Sequence, residues 1–225
     1  MFLISISRTY GVFVALSKVL ILIFGLAGSA SAAEPLKVMA LGDSLTQGYG
    51  LPQPDGLVAQ LQAWFDTKDL AVEFINAGVS GDTTAGGLDR VAWLLDDDIQ
   101  TVIVALGGND MLRGINPDAS RTNLRGILEI LRDEGKDIVL VGMLAPPNYG
   151  PEYQTEFNAI FPELADEFRA TYIESYFVPL MNYDLGSAEL RAHMQADGIH
   201  PNAKGVTKIV EYLGPILKAT LLSKL

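Results

Sequence analysis

The residues with the most chemistry to offer fall in four short clusters. Gly42-Asp43-Ser44 follows an apolar run from Leu36 to Leu41, and Asn76-Ala77-Gly78-Val79-Ser80-Gly81-Asp82-Thr83 follows a second run. Gly107-Gly108-Asn109-Asp110 follows a third, and Asp197-Gly198-Ile199-His200-Pro201 lies near the C-terminus. Acyl transfer would use such a set. A serine hydroxyl is a weak nucleophile until a base takes its proton, and the base works best when a carboxylate fixes its tautomer. Asp197 and His200 are three residues apart, so one tight turn can bring both to the same side. Pro201 then suits the first position of a following helix.

Each cluster alone has a plainer reading. Ser44 after Gly-Asp could be a helix N-cap or turn residue, and Asn109 and Asp110 could be caps too. His200 could be a surface histidine. His193 is a rival base, but it sits in the helical stretch Ala188–Gln195 with no acid three residues away. The glycine pairs could merely relieve backbone strain. Three strand-end clusters combined with an Asp-His turn favour the chemical reading. Competing motifs are missing. No lysine follows Gly48, as a phosphate-binding P-loop requires, and Gly48-Tyr49-Gly50 runs into Leu51-Pro52-Gln53 instead of completing a dinucleotide fingerprint. The nucleophile elbow Gly-x-Ser-x-Gly fails at Thr46, and the Ser80 segment fails it likewise.

These clusters need a scaffold, and the hydrophobic pattern supplies one. Five apolar runs read as buried strands: Lys37–Leu41, Val72–Ile75, Thr101–Leu106, Ile138–Met143 and Thr171–Ile173. The third and fourth are nearly continuously apolar and β-branched, as strands covered on both faces are. Helical spacing appears between them, in Gly56–Phe65, Thr84–Leu95 and Ser120–Arg132, with Ser120 a candidate N-cap. Gln154–Phe168 and Gly205–Leu222 are two further helix candidates. Strand–helix alternation implies a three-layer, doubly wound α/β fold with a parallel sheet. Ligands in such sheets bind at the carboxyl ends of the strands, where the first three polar clusters fall.

Bulk properties narrow the partners. Arg8 and Lys18, an uncharged run from Val19 to Gly28 and the small residues Ala30-Ser31-Ala32-Ala33 read as a secretory leader, with an uncleaved anchor, suggested by the apolar residues Val12 to Leu16, as the alternative; residues 1–33 are set aside and export to the periplasm or medium is expected. Residues 34–225 then form a single domain, with no stable membrane insertion once the leader is cleaved. Without Arg8 and Lys18 the net charge moves from −11 to −13, which disfavours nucleic acid and anionic membranes as partners. There is no cysteine and only two histidines, so neither a thiol nucleophile nor a Cys- or multi-His-ligated metal is expected.

The four clusters, in this order, resemble the blocks of the SGNH, or GDSL, hydrolases. The resemblance runs from Lys37 to about Gly205 and is closest in wording to the bacterial periplasmic thioesterase, lysophospholipase and arylesterase branch. The stretches GDSLTQGYGLP, NAGVSGDTTAGGLDR, ALGGNDMLRG, APPNYGPEY and MQADGIHPN carry it. What it implies is a flavodoxin-like five-stranded sheet in order 2-1-3-4-5, with Ser44 as nucleophile, His200 as general base and Asp197 orienting His200. Backbone N–H groups of Ser44 and Gly81 and the Asn109 amide would receive the oxyanion. A monomer acting on a small acyl ester or thioester, with no cofactor and no metal, is the implied enzyme. A carbohydrate deacetylase on the same scaffold and a non-catalytic binding module are the rivals. Pro146–Pro151 and Tyr176–Met181 are candidates for an acyl pocket or, equally, a surface loop and plain core.

Overall fold

The structure, a computed structural model, describes residues 34–184 and 186–222, so the expected leader at residues 1–33 lies outside the described residues. From Pro35 onward the chain forms one compact unit. Its centre is a five-stranded sheet of β1 (Leu36–Gly42), β2 (Val72–Gly78), β3 (Ile99–Ala105), β4 (Asp137–Val141) and β5 (Thr171–Ile173). The strands lie in the order β2-β1-β3-β4-β5, all neighbours parallel. The helices are α1 (Ser44–Gln47), α2 (Leu57–Asp66), α3 (Thr84–Leu94), α4 (Gly108–Leu112), α5 (Pro117–Asp133), α6 (Pro151–Phe168), α7 (Ala188–Arg191) and α8 (Ala203–Leu221).

Side chains alternate across a strand, and here both sides are apolar. Val38 and Ala40 of β1, Ile103 of β3 and Val139 of β4 join α2 and α8 in one core. Met39 and Leu41, Val102 and Val104, and Ile138 and Leu140 join α3, α5 and α6 in the other. This double coverage is why the middle strands read as unbroken apolar runs. On α5, Leu124, Ile127, Leu128 and Leu131 recur at helical spacing and are fully buried. Each such side chain stabilises the fold by about 1.5–3 kcal/mol relative to exposure.

Three local expectations are corrected. Helix α5 starts at Pro117 with Asn116 as its cap, accepting from Asp118 N, while Ser120 is buried and donates to Asp110 at 3.0 Å. Proline is preorganised for a first helical position, and an Asn just before it caps well, so the local signal beat Ser120. Pro201 does not open the last helix. It pairs with Met194 in an isolated bridge, and Asn202 caps α8 by accepting from Lys204 N and Gly205 N. The helical stretch Ala188–Gln195 ends at Arg191, leaving His193 beyond it.

At the carboxyl edge, α1 packs directly on the ends of β1 and β2. A Cβ on Gly78 would strike the backbone nitrogen of Gln47, so this approach requires glycine. Among the described residues, no helix is long and apolar enough to cross a membrane.

Candidate active site

Strand β1 ends at Gly42, and Asp43 caps α1 by accepting from Leu45 N at 3.0 Å. Ser44 therefore takes the first helical position, and the cap that it might have supplied comes from its neighbour. The Ser44 hydroxyl lies 2.8 Å from His200 Nε2, across 156 residues of sequence. On the other side of the ring, His200 Nδ1 lies 2.7 Å from Asp197 Oδ2. Asp197 Oδ1 accepts from Ile199 N at 2.9 Å and from His200 N at 3.0 Å, which closes the tight turn.

The His200 backbone N–H, then the His200 ring and the Ile199 N–H, hold the Asp197 carboxyl down at about 2. It stays ionised well above pH 2, and a carboxylate on Nδ1 leaves Nε2 free to accept a proton from Ser44. His193 has no part in this arrangement. Its Nδ1 lies 2.8 Å from the Glu189 carbonyl, and its ring stacks on Tyr183.

Two other clusters converge on the same place. Gly81 has φ near +81°, a conformation that favours glycine, and its carbonyl accepts from Arg113 Nη2 at 2.8 Å. Asn109 follows the bend after β3 and gives one amide hydrogen to the Asp82 carbonyl at 2.9 Å. Among the described residues its other acceptor contact is a long one, 3.5 Å to Asp43 Oδ2, so its second hydrogen is weakly engaged. The N–H of Ser44 belongs to a first helical turn, whose donors lack intrahelical partners. Neutral donors that lie beside a hydroxyl can stabilise an oxyanion. Asp43 is only 2% exposed, and burial pushes its carboxyl up to about 6 against the opposing pull of the Leu45 N–H and His200.

Ser44, Gly81, Asn109, Asp197 and His200 all line one cavity of about 420 Å³. Its walls are mostly apolar. Met111, Met143 and Phe177 are partly buried, whereas Tyr49, Leu112 and Ile199 stand about half exposed at the mouth. Of the two candidate acyl-pocket segments, Tyr176–Met181 contributes Phe177 to the lining, while Tyr176 is core and Met181 is exposed. The loop Pro146–Pro151 does not line the cavity; its Tyr149 hydroxyl instead donates to the Leu112 carbonyl at 3.0 Å. Among the described residues, no cluster of His, Asp and Glu is arranged to hold a metal ion.

The sequence pattern did not single out Tyr49, whose ring centroid lies 4.9 Å from that of His200. Gln195 holds it there: its side-chain amide donates to the Tyr49 carbonyl at 2.8 Å, and its backbone N–H donates to the His200 carbonyl at 2.8 Å. A Cβ on Gly50 would collide with the Gln195 side chain, which accounts for a glycine there. Gly48 ends α1 in the left-handed conformation and turns the chain toward this contact. The glycine pair flanking an aromatic was the available signal, but its partner lies 146 residues away.

The chain is similar to several known proteins over most of its length. The model of the GDSL-like Lipase/Acylhydrolase family matches residues 40–208. Esterase TesA of Pseudomonas aeruginosa is 36% identical over 192 residues, covering 85% of this chain and 91% of its own. Thioesterase 1/protease 1/lysophospholipase L1 of Escherichia coli strain K12 is 36% identical over 191 residues, covering 84% and 86%. Among solved structures, psychrotrophic esterase EstA from Pseudoalteromonas sp., inhibited by monoethylphosphonate, superposes with a TM-score of 0.75 at 30% identity, over 82% of this chain and 98% of that one.

Proposed function

The chain belongs to the GDSL-like lipase/acylhydrolase family, and from that premise we propose that it is a serine hydrolase that cleaves carboxylic esters and acyl thioesters through an acyl-enzyme on Ser44. The observation that carries the reading is the unbroken hydrogen-bonded chain Ser44–His200–Asp197, with links of 2.8 and 2.7 Å. His200 Nε2 takes the Ser44 proton as Oγ attacks the acyl carbon, and Asp197 stabilises the imidazolium that forms. The N–H groups of Ser44 and Gly81 and the Asn109 amide receive the oxyanion. His200 then protonates the departing alkoxide or thiolate. Water repeats the sequence on the acyl-enzyme and regenerates Ser44.

The apolar walls favour apolar acyl or aryl groups over the hydroxyl-rich surface of a carbohydrate, which argues against the deacetylase reading. The test is labelling with a fluorophosphonate, followed by peptide mapping. Modification at Ser44 is expected; an unlabelled, folded protein would leave only the binding-module reading. A series of p-nitrophenyl esters, run beside acyl thioesters, reads the acyl preference.

Asn109→Ala should lower kcat by about 10²–10³-fold, because an oxyanion donor acts chiefly in the transition state. Steady-state kinetics check this, and a change in KM alone would remove Asn109 from that role. Residues 1–33 are proposed as an export leader ahead of one catalytic domain. Sequencing the N-terminus of the exported protein tests it: a start at residue 1 argues against cleavage.

A further inference from the structure

Asp82 and Arg90 take no part in the steps above, yet they form an ion pair that begins one residue beyond Gly81 of the cavity lining. Arg90 Nε donates to Asp82 Oδ2 at 2.8 Å, Nη1 to the Ala77 carbonyl at 2.7 Å and Nη2 to the Gly42 carbonyl at 3.0 Å. The pair is largely buried, with side chains 21% and 10% exposed. We propose that Arg90 is the positioning residue of the oxyanion donors, a single guanidinium to which Ser44, Gly81 and Asn109 are all referenced. This rests on the ester-hydrolase reading.

The three acceptors belong to three separate segments. Gly42 ends β1 two residues before Ser44, Ala77 lies in β2, and Asp82 follows Gly81 directly. The links then run to each donor. The Gly42 carbonyl also accepts from Val79 N at 3.0 Å, and Val79 O accepts from Asp82 N at 3.1 Å, which closes the loop carrying Gly81. The Asp82 carbonyl takes one hydrogen of the Asn109 amide and so orients that group. The Asp82 carboxylate is itself fixed, since it accepts from Thr83 N at 3.1 Å. It fills the space where a Cβ on Gly86 would stand, so the start of α3 is shaped around it.

Only a guanidinium meets this demand. Its N–H groups diverge in a rigid plane and reach several acceptors at fixed angles, whereas a lysine ammonium is a compact charge on a flexible stem. An oxyanion donor displaced by about 1 Å can cost on the order of 10²-fold in rate. Because those donors act on charge that develops in the transition state, the loss belongs in kcat.

The experiment uses full-chain Arg90→Ala and Arg90→Lys variants, with kcat expressed per active site counted by fluorophosphonate titration. Unfolded molecules then do not enter. The expected result is a fall in kcat per site of about 10²-fold in Arg90→Ala, with KM for a short p-nitrophenyl ester within about twofold of the parent. Arg90→Lys should keep the charge and still lose most of the rate. Methylguanidinium, well below denaturing concentration, should restore part of the activity of Arg90→Ala and none of that of the parent. Parental kcat per site in either variant overturns the proposal. So does a loss confined to KM, or a loss confined to the number of titratable sites, complete loss included, which would make Arg90 a folding residue only. A parent that fails to label at Ser44 removes the hydrolase reading and this proposal with it. Labelled parent with unimpaired variants removes this proposal alone.

Discussion

Ser44→Ala should abolish ester hydrolysis and leave the chain folded. The variant removes one oxygen, the hydroxyl that is hydrogen-bonded to His200 Nε2 and that is proposed to carry the acyl group. Losing the nucleophile of such a triad costs on the order of 10⁶ in kcat, and what survives is the background from binding and oxyanion donors. The same variant discriminates between the two readings of a serine at a helix start. A capping serine replaced by alanine costs roughly 1 kcal/mol of stability. Here Asp43 supplies the cap through Leu45 N, and alanine is at least as good a helix former at Ser44. Thermal unfolding should therefore stay within about 0.5 kcal/mol of the parent. Activity at the parental level would sink the mechanism, and a stable chain with no activity would support it. A marked drop in stability would point back to a structural serine.

Much of the fold was legible because its signals are local or periodic. The run from Thr101 to Leu106 differs from the observed β3 by one or two residues, since burial on both faces demands continuous apolar side chains and nothing else produces them so cheaply. Helix ends were less legible. Ser120 looked like a cap by type, but Asp110, buried and also bound to Thr84, draws its hydroxyl into a tertiary network that no local rule contains. The same reason hid Gln195 and Arg90. Each is an ordinary polar residue in sequence and acquires meaning only when strand ends are brought together. Asp82 and Arg90 are eight residues apart, a little over two helical turns, a spacing that signals nothing until Gly42 and Ala77 present their carbonyls. The Asp-x-x-His turn was the exception, because its geometry is local. Its target, Ser44, was named by the resemblance and not by spacing.

Asp197→Asn tests that turn at its most sensitive point, and kcat should fall on the order of 10⁴-fold. The replacement is nearly isosteric, and its side-chain oxygen can still accept from Ile199 N and His200 N, so the turn should survive. What changes is the atom facing the ring. An amide NH₂ against Nδ1 is a donor meeting a site that must itself donate, so His200 is driven to carry its proton on Nε2. That nitrogen can no longer accept from Ser44, and the base is lost while the fold remains. The pH behaviour follows with a definite sign. A carboxyl held down at about 2 contributes stability above its unfolded value of about 4, and that contribution is lost as pH falls through about 2. Asp197→Asn should flatten this acid window in unfolding experiments. The acid loss of activity in the parent should fall at higher pH, where buried Asp43, raised to about 6, takes up a proton at the start of α1 beside Ser44. Measuring kcat/KM against pH, beside denaturant unfolding, separates the two windows. An Asp197→Asn variant within tenfold of parental kcat would show that the tautomer of His200 does not depend on this carboxylate.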